Sequence, residues 1–139
     1  MSKISVIYAT KTNHSKKYAD AIADILNVSA MNVSENPDIT DDDLLIIISG
    51  IYAGKSHPGL VELAKRIEKD KVKKAALVSS CASMKNKLDD IRSILEEKNI
   101  SVIDEIILPG KFLFLRAGHP TDNDLKTAAD FAAKILKKL

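Results

Sequence analysis

The sequence predicts an α/β domain, a doubly wound sheet of five parallel strands lying between two layers of helices. Short apolar runs alternate with longer amphipathic stretches along the chain, which is typical of repeated strand–helix units. The apolar run Leu44–Ser49 further indicates a central parallel strand that is covered on both faces. At 139 residues, the chain is predicted to form a single domain, residues 1–139.

Hydrophobic spacing sets the predicted elements. The five strands are predicted at Ile4–Tyr8, Val28–Val33, Leu44–Ser49, Ala75–Ser80 and Ile100–Leu108. The four helices are predicted at Ser15–Leu26, from Pro58 onwards, at Asn86–Lys98, and from just after Pro120 to the end. Thr121 and Asp124 have the spacing of a capping box at the start of the last helix. Right-handed crossovers and this element count favour the strand order 2-1-3-4-5, a three-layer sandwich.

Each predicted helix has an apolar face that is expected to be buried. The inward residues are Tyr18, Ala21, Ile22, Ile25 and Leu26; Leu60, Leu63, Ala64 and Ile67; Leu88, Ile91, Ile94 and Leu95; and Leu125, Ala128, Ala129, Ala132, Ile135 and Leu136. The acidic run Asp41–Asp43 is expected to form a solvated turn before the third strand.

Composition excludes several classes of function. A net charge of +2, with 4% aromatic residues, disfavours a nucleic-acid surface, which needs a concentrated basic stripe. Cys81 is the only cysteine, so neither a disulfide framework nor a thiolate metal cluster is expected. No apolar run approaches the ~20 residues of a membrane helix. We therefore expect a cytoplasmic protein with no metal and no membrane partner.

Ligands of doubly wound sheets bind beyond the carboxyl ends of the strands, where the strand order reverses. The loop after strand one, at residues 9–15, combines three hydroxyl side chains with an amide and a lysine, directly before a helix. Unpaired N–H groups and the helix dipole would make this turn an anion site. The sequence therefore predicts phosphate contacts from Thr10, Lys11, Thr12, Asn13, His14 and Ser15. The triphosphate and dinucleotide glycine patterns are both absent.

The segment Val6–Ile22 resembles the phosphate-loop signature of the flavodoxin family, with Asn13 where flavodoxins usually have glycine and Ser15 where they have threonine. The segment Ser49–Pro58 is similar to the S-G-I-Y-x-G-K-x-H loop of small, single-domain flavodoxins. The run Gly118–Leu125 is similar to their G-H-P-x-x-x-D-L segment. The resemblance implies a flavodoxin-like sandwich with FMN as the cofactor, and a monomer.

The same resemblance assigns the residues around the flavin ring. Tyr52, between two glycines, is expected to stack on the ring, and the loop after strand four to supply backbone groups to its pyrimidine edge. The implied ring contacts are Gly50, Ile51, Tyr52, Ala53, Gly54, Ser80, Cys81 and Ala82. The Cys81 side chain itself is interpreted as a small buried residue, since no partner cysteine exists.

Three functions remain open on the sequence. An FMN-binding electron carrier, which exchanges electrons with partner proteins, needs no catalytic side chain. A flavin-dependent oxidoreductase would act on a small conjugated substrate, resembling protoporphyrinogen oxidase, with His57 or His119 donating protons. A non-redox module that has lost FMN is kept open by Asn13.

Overall fold

A parallel sheet forms the centre of the protein. The computed structural model describes residues 3–9, 14–52, 54–81, 87–109 and 121–138. Its strands are β1 (Ile4–Ala9), β2 (Ala30–Asn32), β3 (Asp42–Tyr52), β4 (Lys55–Ser56), β5 (Val72–Cys81) and β6 (Ser101–Pro109). Its helices are α1 (His14–Leu26), α2 (Pro58–Arg66), α3 (Asp89–Glu97) and α4 (Asp122–Leu136).

The sheet has the predicted topology. Its strands follow the order β2-β1-β3-β5-β6 and all of these pairs are parallel. Because β4 is a short strand that pairs antiparallel with the end of β3, this order corresponds to the predicted 2-1-3-4-5 of five parallel strands. The helices cover both faces, and the flavodoxin-like sandwich is confirmed.

Alternate residues of the central strands enter two separate cores. On one face, Leu44, Ile46 and Ile48 pack with α1 and α4; on the other, Leu45 and Ile47 pack with α2 and α3. All five side chains are fully buried. A strand covered on both faces has no position for a polar side chain, which explains its apolar sequence.

The start of α4 confirms the predicted capping box. Thr121 Oγ1 accepts a hydrogen bond from Asp124 N at 3.2 Å, and Asp124 Oδ2 accepts one from Thr121 N at 2.8 Å. Two otherwise unpaired backbone donors of the first turn are thereby satisfied. No helix in the described part of the chain is long and apolar enough to cross a membrane.

Two residues expected in the core are exposed instead. Ile25 is 42% exposed because the buried stripe of α1 is centred on Ala19 and Leu26, which places Ile25 at its border. Leu136 is 45% exposed because it is the last residue of α4, one turn beyond the buried Ala132, where the helix ends. Phe131, which the predicted face of α4 omitted, is buried in the core.

The acidic run is not a solvated turn. Asp42 is the first residue of β3 and is only 1% exposed, while Asp41 is exposed and Asp43 is half-buried. The strand begins earlier than predicted because Asp42 pairs with Val72 of β5 and the backbone N–H of Asp43 donates to Lys3 O. Backbone pairing therefore draws an acidic residue into the sheet.

Candidate functional site at the carboxyl edge of the sheet

The carboxyl edge of the sheet consists of small, buried residues from adjacent strands. Ala9 of β1 lies beside Ser49 of β3, and Ser49 lies beside Ser79 of β5. One step further along the strands, Gly50 lies beside Ser80. The chain crosses from β1 to one edge of the sheet and from β3 to the other, so the strand order reverses between these neighbours. This is the point at which doubly wound sheets open a crevice for a ligand.

The amino-terminal turn of α1 faces this edge directly after β1. The turn runs from His14 to Lys17 and contains no acidic side chain, as is also true of the first turn of α2, whereas α3 and α4 each have two aspartates in their first turns. Ser15 is 1% exposed. The positive end of the α1 dipole is therefore not balanced by an acid of its own first turn. Thr10, Lys11, Thr12 and Asn13 lie outside the described residues, and their phosphate contacts stay a prediction.

A lysine of this turn is held along the helix. Lys16 Nζ lies 3.1 Å from Asp20 Oδ2, one turn further on. The hydrogen bond and the charge of Asp20 raise the pKa of Lys16. Lys17 is exposed beside it and adds a second basic side chain to the turn.

The segment expected to be the second loop is largely a β-hairpin. Strand β3 continues to Tyr52, and Tyr52 pairs with Lys55 while Ile51 pairs with Ser56. Gly54, in the connection, has φ of 78°, a backbone conformation that glycine adopts without steric cost. Gly50 still pairs with Ser80 of β5, the hairpin carries Ile51, Tyr52 and Gly54 beyond that pair, and Ala53 lies outside the described residues. Their contacts with a flavin ring remain predictions.

Two side chains that the sequence analysis did not single out hold the returning strand of the hairpin. Ser49 Oγ accepts a hydrogen bond from His57 N at 2.9 Å and donates one to Gly50 O at 2.7 Å. Ser56 Oγ donates to Asp90 Oδ1 of α3 at 2.5 Å, and Ser56 N donates to Asp90 Oδ2 at 3.2 Å. The only sequence signal for Ser49 and Ser56 is a small polar residue next to a glycine-containing turn.

The imidazole of His57 caps α2. His57 is the N-cap residue, and its Nδ1 accepts a hydrogen bond from Gly59 N at 3.0 Å. Pro58 occupies the first helical position, as predicted, because its missing N–H needs no partner there. His57 therefore has a structural role at Nδ1, and its suggested role as a proton donor to a substrate is untested. His119 lies outside the described residues.

The third predicted loop begins at the end of β5, where the side chains point into the protein. Ser80 is 5% exposed and Cys81 is 4% exposed, which agrees with the interpretation of Cys81 as a small buried residue. Cys81 pairs with Pro109 at the end of β6, and the hydroxyl of Tyr18 donates to Pro109 O at 2.6 Å. Ala82 lies outside the described residues. Ser80 and Cys81 thus lie at the correct edge, and their contacts with a ring remain predictions.

The described residues contain no cluster of three or more His, Cys, Asp or Glu that could hold a metal ion. The edge instead offers backbone N–H groups, hydroxyls and a projecting hairpin beside the β1–β3 reversal. These features place the candidate site at the β1–β3 reversal of a doubly wound α/β domain, the position at which such sheets bind ligands.

Comparison with known proteins identifies the family. The model of the flavodoxin domain matches residues 5–108. An uncharacterized protein of Methanocaldococcus jannaschii is 32% identical over 139 residues, a match that spans 89% of this chain and 91% of that protein. The chain belongs to the flavodoxin family.

Solved flavodoxins share the fold over their full length. A flavodoxin variant from Fusobacterium nucleatum, determined with flavin mononucleotide bound, has a TM-score of 0.77 and 21% identity and covers 100% of this chain and 98% of that chain. Oxidised flavodoxin 2 of Bacillus cereus has a TM-score of 0.72 and 17% identity, and covers 99% of both chains. At these identities the likeness establishes the fold of the chain.

Proposed function

We propose that this protein binds FMN at the carboxyl edge of the sheet and transfers electrons between partner proteins. The phosphate would bind at the first turn of α1, which contains His14 and Ser15, and at the preceding residues Thr10–Asn13. The ring would lie between the β3–β4 hairpin and the segment that follows β5. One observation carries the proposal: the first turn of α1 has no acidic residue and opens at the reversal between β1 and β3.

The residues at this edge fit both halves of FMN. A helix amino terminus offers several N–H donors to a phosphate group, and Lys17 adds a positive charge beside it. A planar ring needs backbone at close range, which the glycine-containing hairpin provides. The solved Fusobacterium flavodoxin was determined with FMN bound, which supports the same choice of ligand for this family member.

An electron carrier fits the side chains of the edge better than an enzyme does. When bound, FMN supplies one- and two-electron redox chemistry. The protein then has to bind and orient the ring and exclude water, which buried Ser49, Gly50 and Ser80 can do without a nucleophile. His57, offered by the sequence as a proton donor, uses Nδ1 to cap α2.

Titration of the apoprotein with FMN and with riboflavin tests the proposal. Riboflavin lacks the phosphate, so the ratio of the two dissociation constants isolates the phosphate site. We expect FMN fluorescence to be quenched on binding, with an absorption band near about 450 nm that stays with the protein through gel filtration. FMN should bind roughly a hundredfold tighter than riboflavin, since two charge-assisted hydrogen bonds supply about 3 kcal/mol.

A protein that quenches neither flavin contradicts the proposal and favours a module that has lost its cofactor. Equal affinity for the two flavins contradicts the phosphate site alone. If FMN binds, reductive titration followed by reoxidation with an acceptor protein tests electron transfer. Oxidation of a small conjugated substrate in the absence of a protein partner would instead support the enzyme alternative.

A further inference from the structure

One carboxylate links the hairpin to a different helix. Asp90, in the first turn of α3, accepts three hydrogen bonds through its side chain. Ser56 Oγ donates to Oδ1 at 2.5 Å, Ser56 N donates to Oδ2 at 3.2 Å, and Ile91 N donates to Oδ1 at 2.8 Å. Asp90 therefore accepts a hydrogen bond from a backbone N–H of its own helix and from both the N–H and the hydroxyl of Ser56. We call these contacts the Ser56–Asp90 clamp.

The clamp adds to the support that a very short strand receives from its pairing with β3 and from Ser49. Strand β4 contains only Lys55 and Ser56, and its partners in β3 are Tyr52 and Ile51. A two-stranded ribbon of this length is marginal in water. Ser56 is 5% exposed, so the hydroxyl that Asp90 accepts from is removed from solvent. Asp90 itself is exposed, so the restraint on backbone position comes from its two hydrogen bonds to a residue that is buried.

The position of Asp90 in the chain gives the clamp its consequence. Helix α3 follows the segment that begins at Cys81, and the hairpin follows the end of β3 at the neighbouring strand. The clamp therefore joins the hairpin to the helix that follows the second of the two segments between which the proposed ring would lie. We infer that Asp90 is a positioning residue for the flavin ring, acting through Ser56 on the hairpin. This inference rests on the proposed FMN site.

The neighbouring aspartate provides a matched control. Asp89 is exposed, carries the same charge and belongs to the same first turn of α3, and no hydrogen bond joins it to the hairpin among the described contacts. Removing either carboxylate changes the net charge and the α3 dipole interaction by similar amounts. A difference between Asp89→Ala and Asp90→Ala thus reports the clamp.

A double-mutant cycle in the full chain tests the inference. The variants are Ser56→Ala, Asp90→Ala, both together, Asp90→Asn and Asp89→Ala, and the readouts are the dissociation constants of FMN and riboflavin. Asp90→Ala should weaken both flavins by about tenfold and leave their ratio unchanged, because the clamp acts on the ring side. The double variant should be no weaker than Asp90→Ala, since the two residues act as one unit.

Two further variants complete the design. Asp90→Asn keeps an oxygen acceptor and should recover part of the lost affinity, and Asp89→Ala should stay within about twofold of the parent. Exchange of the Ser56 amide hydrogen should accelerate in Asp90→Ala but not in Asp89→Ala. These results together support a positioning role.

Other results overturn the inference while leaving FMN binding intact. Additive losses from Ser56→Ala and Asp90→Ala would mean that the two residues act independently. A lower melting temperature of Asp90→Ala with unchanged flavin affinities would reduce the clamp to a purely structural contact. A parent protein that binds neither flavin contradicts the proposed function itself, and the inference with it.

Discussion

The two ends of the sheet differ in how their charges are arranged. At the amino edge, three neighbouring aspartates each have a lysine within reach: Asp41 and Lys71 at 3.9 Å, Asp42 and Lys3 at 3.7 Å, and Asp43 and Lys73 at 3.2 Å. At the carboxyl edge, the last residues that pair between β3 and β5 are serines and a glycine, and the first turn of α1 lacks an acid.

This difference separates a structural end from the proposed binding end. Charges that are neutralised by neighbours attract an external ligand only weakly. Backbone N–H groups and a helix dipole with no acid of their own retain their attraction for an anion. At the carboxyl edge, the hydrogen bonds of Ser49 and of the Ser56–Asp90 clamp fix the position of the hairpin.

The largest effect is expected at the anchor of the hairpin. Ser49→Ala removes the acceptor of His57 N, and it should lower the free energy of unfolding by about 1 to 3 kcal/mol because a partly buried N–H loses its partner. Flavin affinity should fall with it, since the hairpin would be less well placed. Chemical denaturation measures the first effect and fluorescence quenching the second.

Ser93→Ala serves as the control for this variant. Ser93 is exposed on α3, and the change should stay within about 0.5 kcal/mol because alanine suits a helix surface. Equal stability of Ser49→Ala and the parent would show that water replaces the serine hydroxyl. The hairpin would then be held by Asp90 alone.

The next effect tests the uncompensated dipole at α1. Lys17→Glu places an acid in the first turn, so the apoprotein should gain about 0.3 to 1 kcal/mol of stability while FMN binds about three- to tenfold more weakly. Riboflavin, which has no phosphate, should bind as before. The opposite signs for stability and FMN affinity distinguish this result from general damage to the fold.

Lys134→Glu is the matched charge change at the other end of the molecule. Lys134 lies in the last turn of α4, where an acid opposes the dipole, so stability should fall slightly and FMN affinity should not change. Similar losses of FMN affinity in both variants would mean that only net charge matters. The phosphate would then have no particular relation to α1.

The sequence was sufficient for the parts of the fold that periodicity controls. The strand order, the capping box at Thr121 and the buried faces of α2 and α3 follow from local spacing and short-range chemistry. The prediction that Ile25 is buried was wrong because its burial depends on how far α1 is rotated against the sheet. The prediction that Asp42 lies in a solvated turn was wrong because pairing with β5, which is distant in sequence, decides where β3 begins.

The sequence predicted where the candidate site lies in the fold, but it did not predict the contacts within the site. Topology places the carboxyl ends of β1, β3 and β5 together, so the segments that hold Ser15, Gly50 and Ser80 could be identified in advance. The Ser56–Asp90 clamp could not, because it joins residues 34 apart on two elements whose approach no local pattern encodes. The hairpin form of the second loop was missed for a related reason, since β4 is only two residues long.

The smallest effect concerns two adjacent aspartates at the amino edge, which should respond to pH with opposite signs. Burial raises the pKa of Asp42, against the opposing influence of Ser5 and Lys3, whereas hydrogen bonds from Lys3 and Lys73 lower the pKa of Asp43. The stability that protonated Asp42 contributes is therefore present at low pH and is lost as pH rises through the folded pKa. Above that pKa the buried, ionised carboxylate destabilises the fold. The contribution of Asp43 is present at neutral pH and is lost as pH falls below 3.8 through its lowered pKa.

Melting curves between about pH 7 and pH 3 test this contrast. At pH 7, Asp42→Asn should melt a few degrees above the parent and Asp43→Asn below it, and both differences should shrink as the medium becomes acidic. The two substitutions change the net charge equally, so each is the control of the other. A lower melting point for Asp42→Asn at pH 7 would mean that the Lys3 ion pair outweighs the cost of burying the carboxylate. The amino edge would then be stabilised by all three of its aspartates, and its difference from the carboxyl edge would be larger than the pKa directions imply.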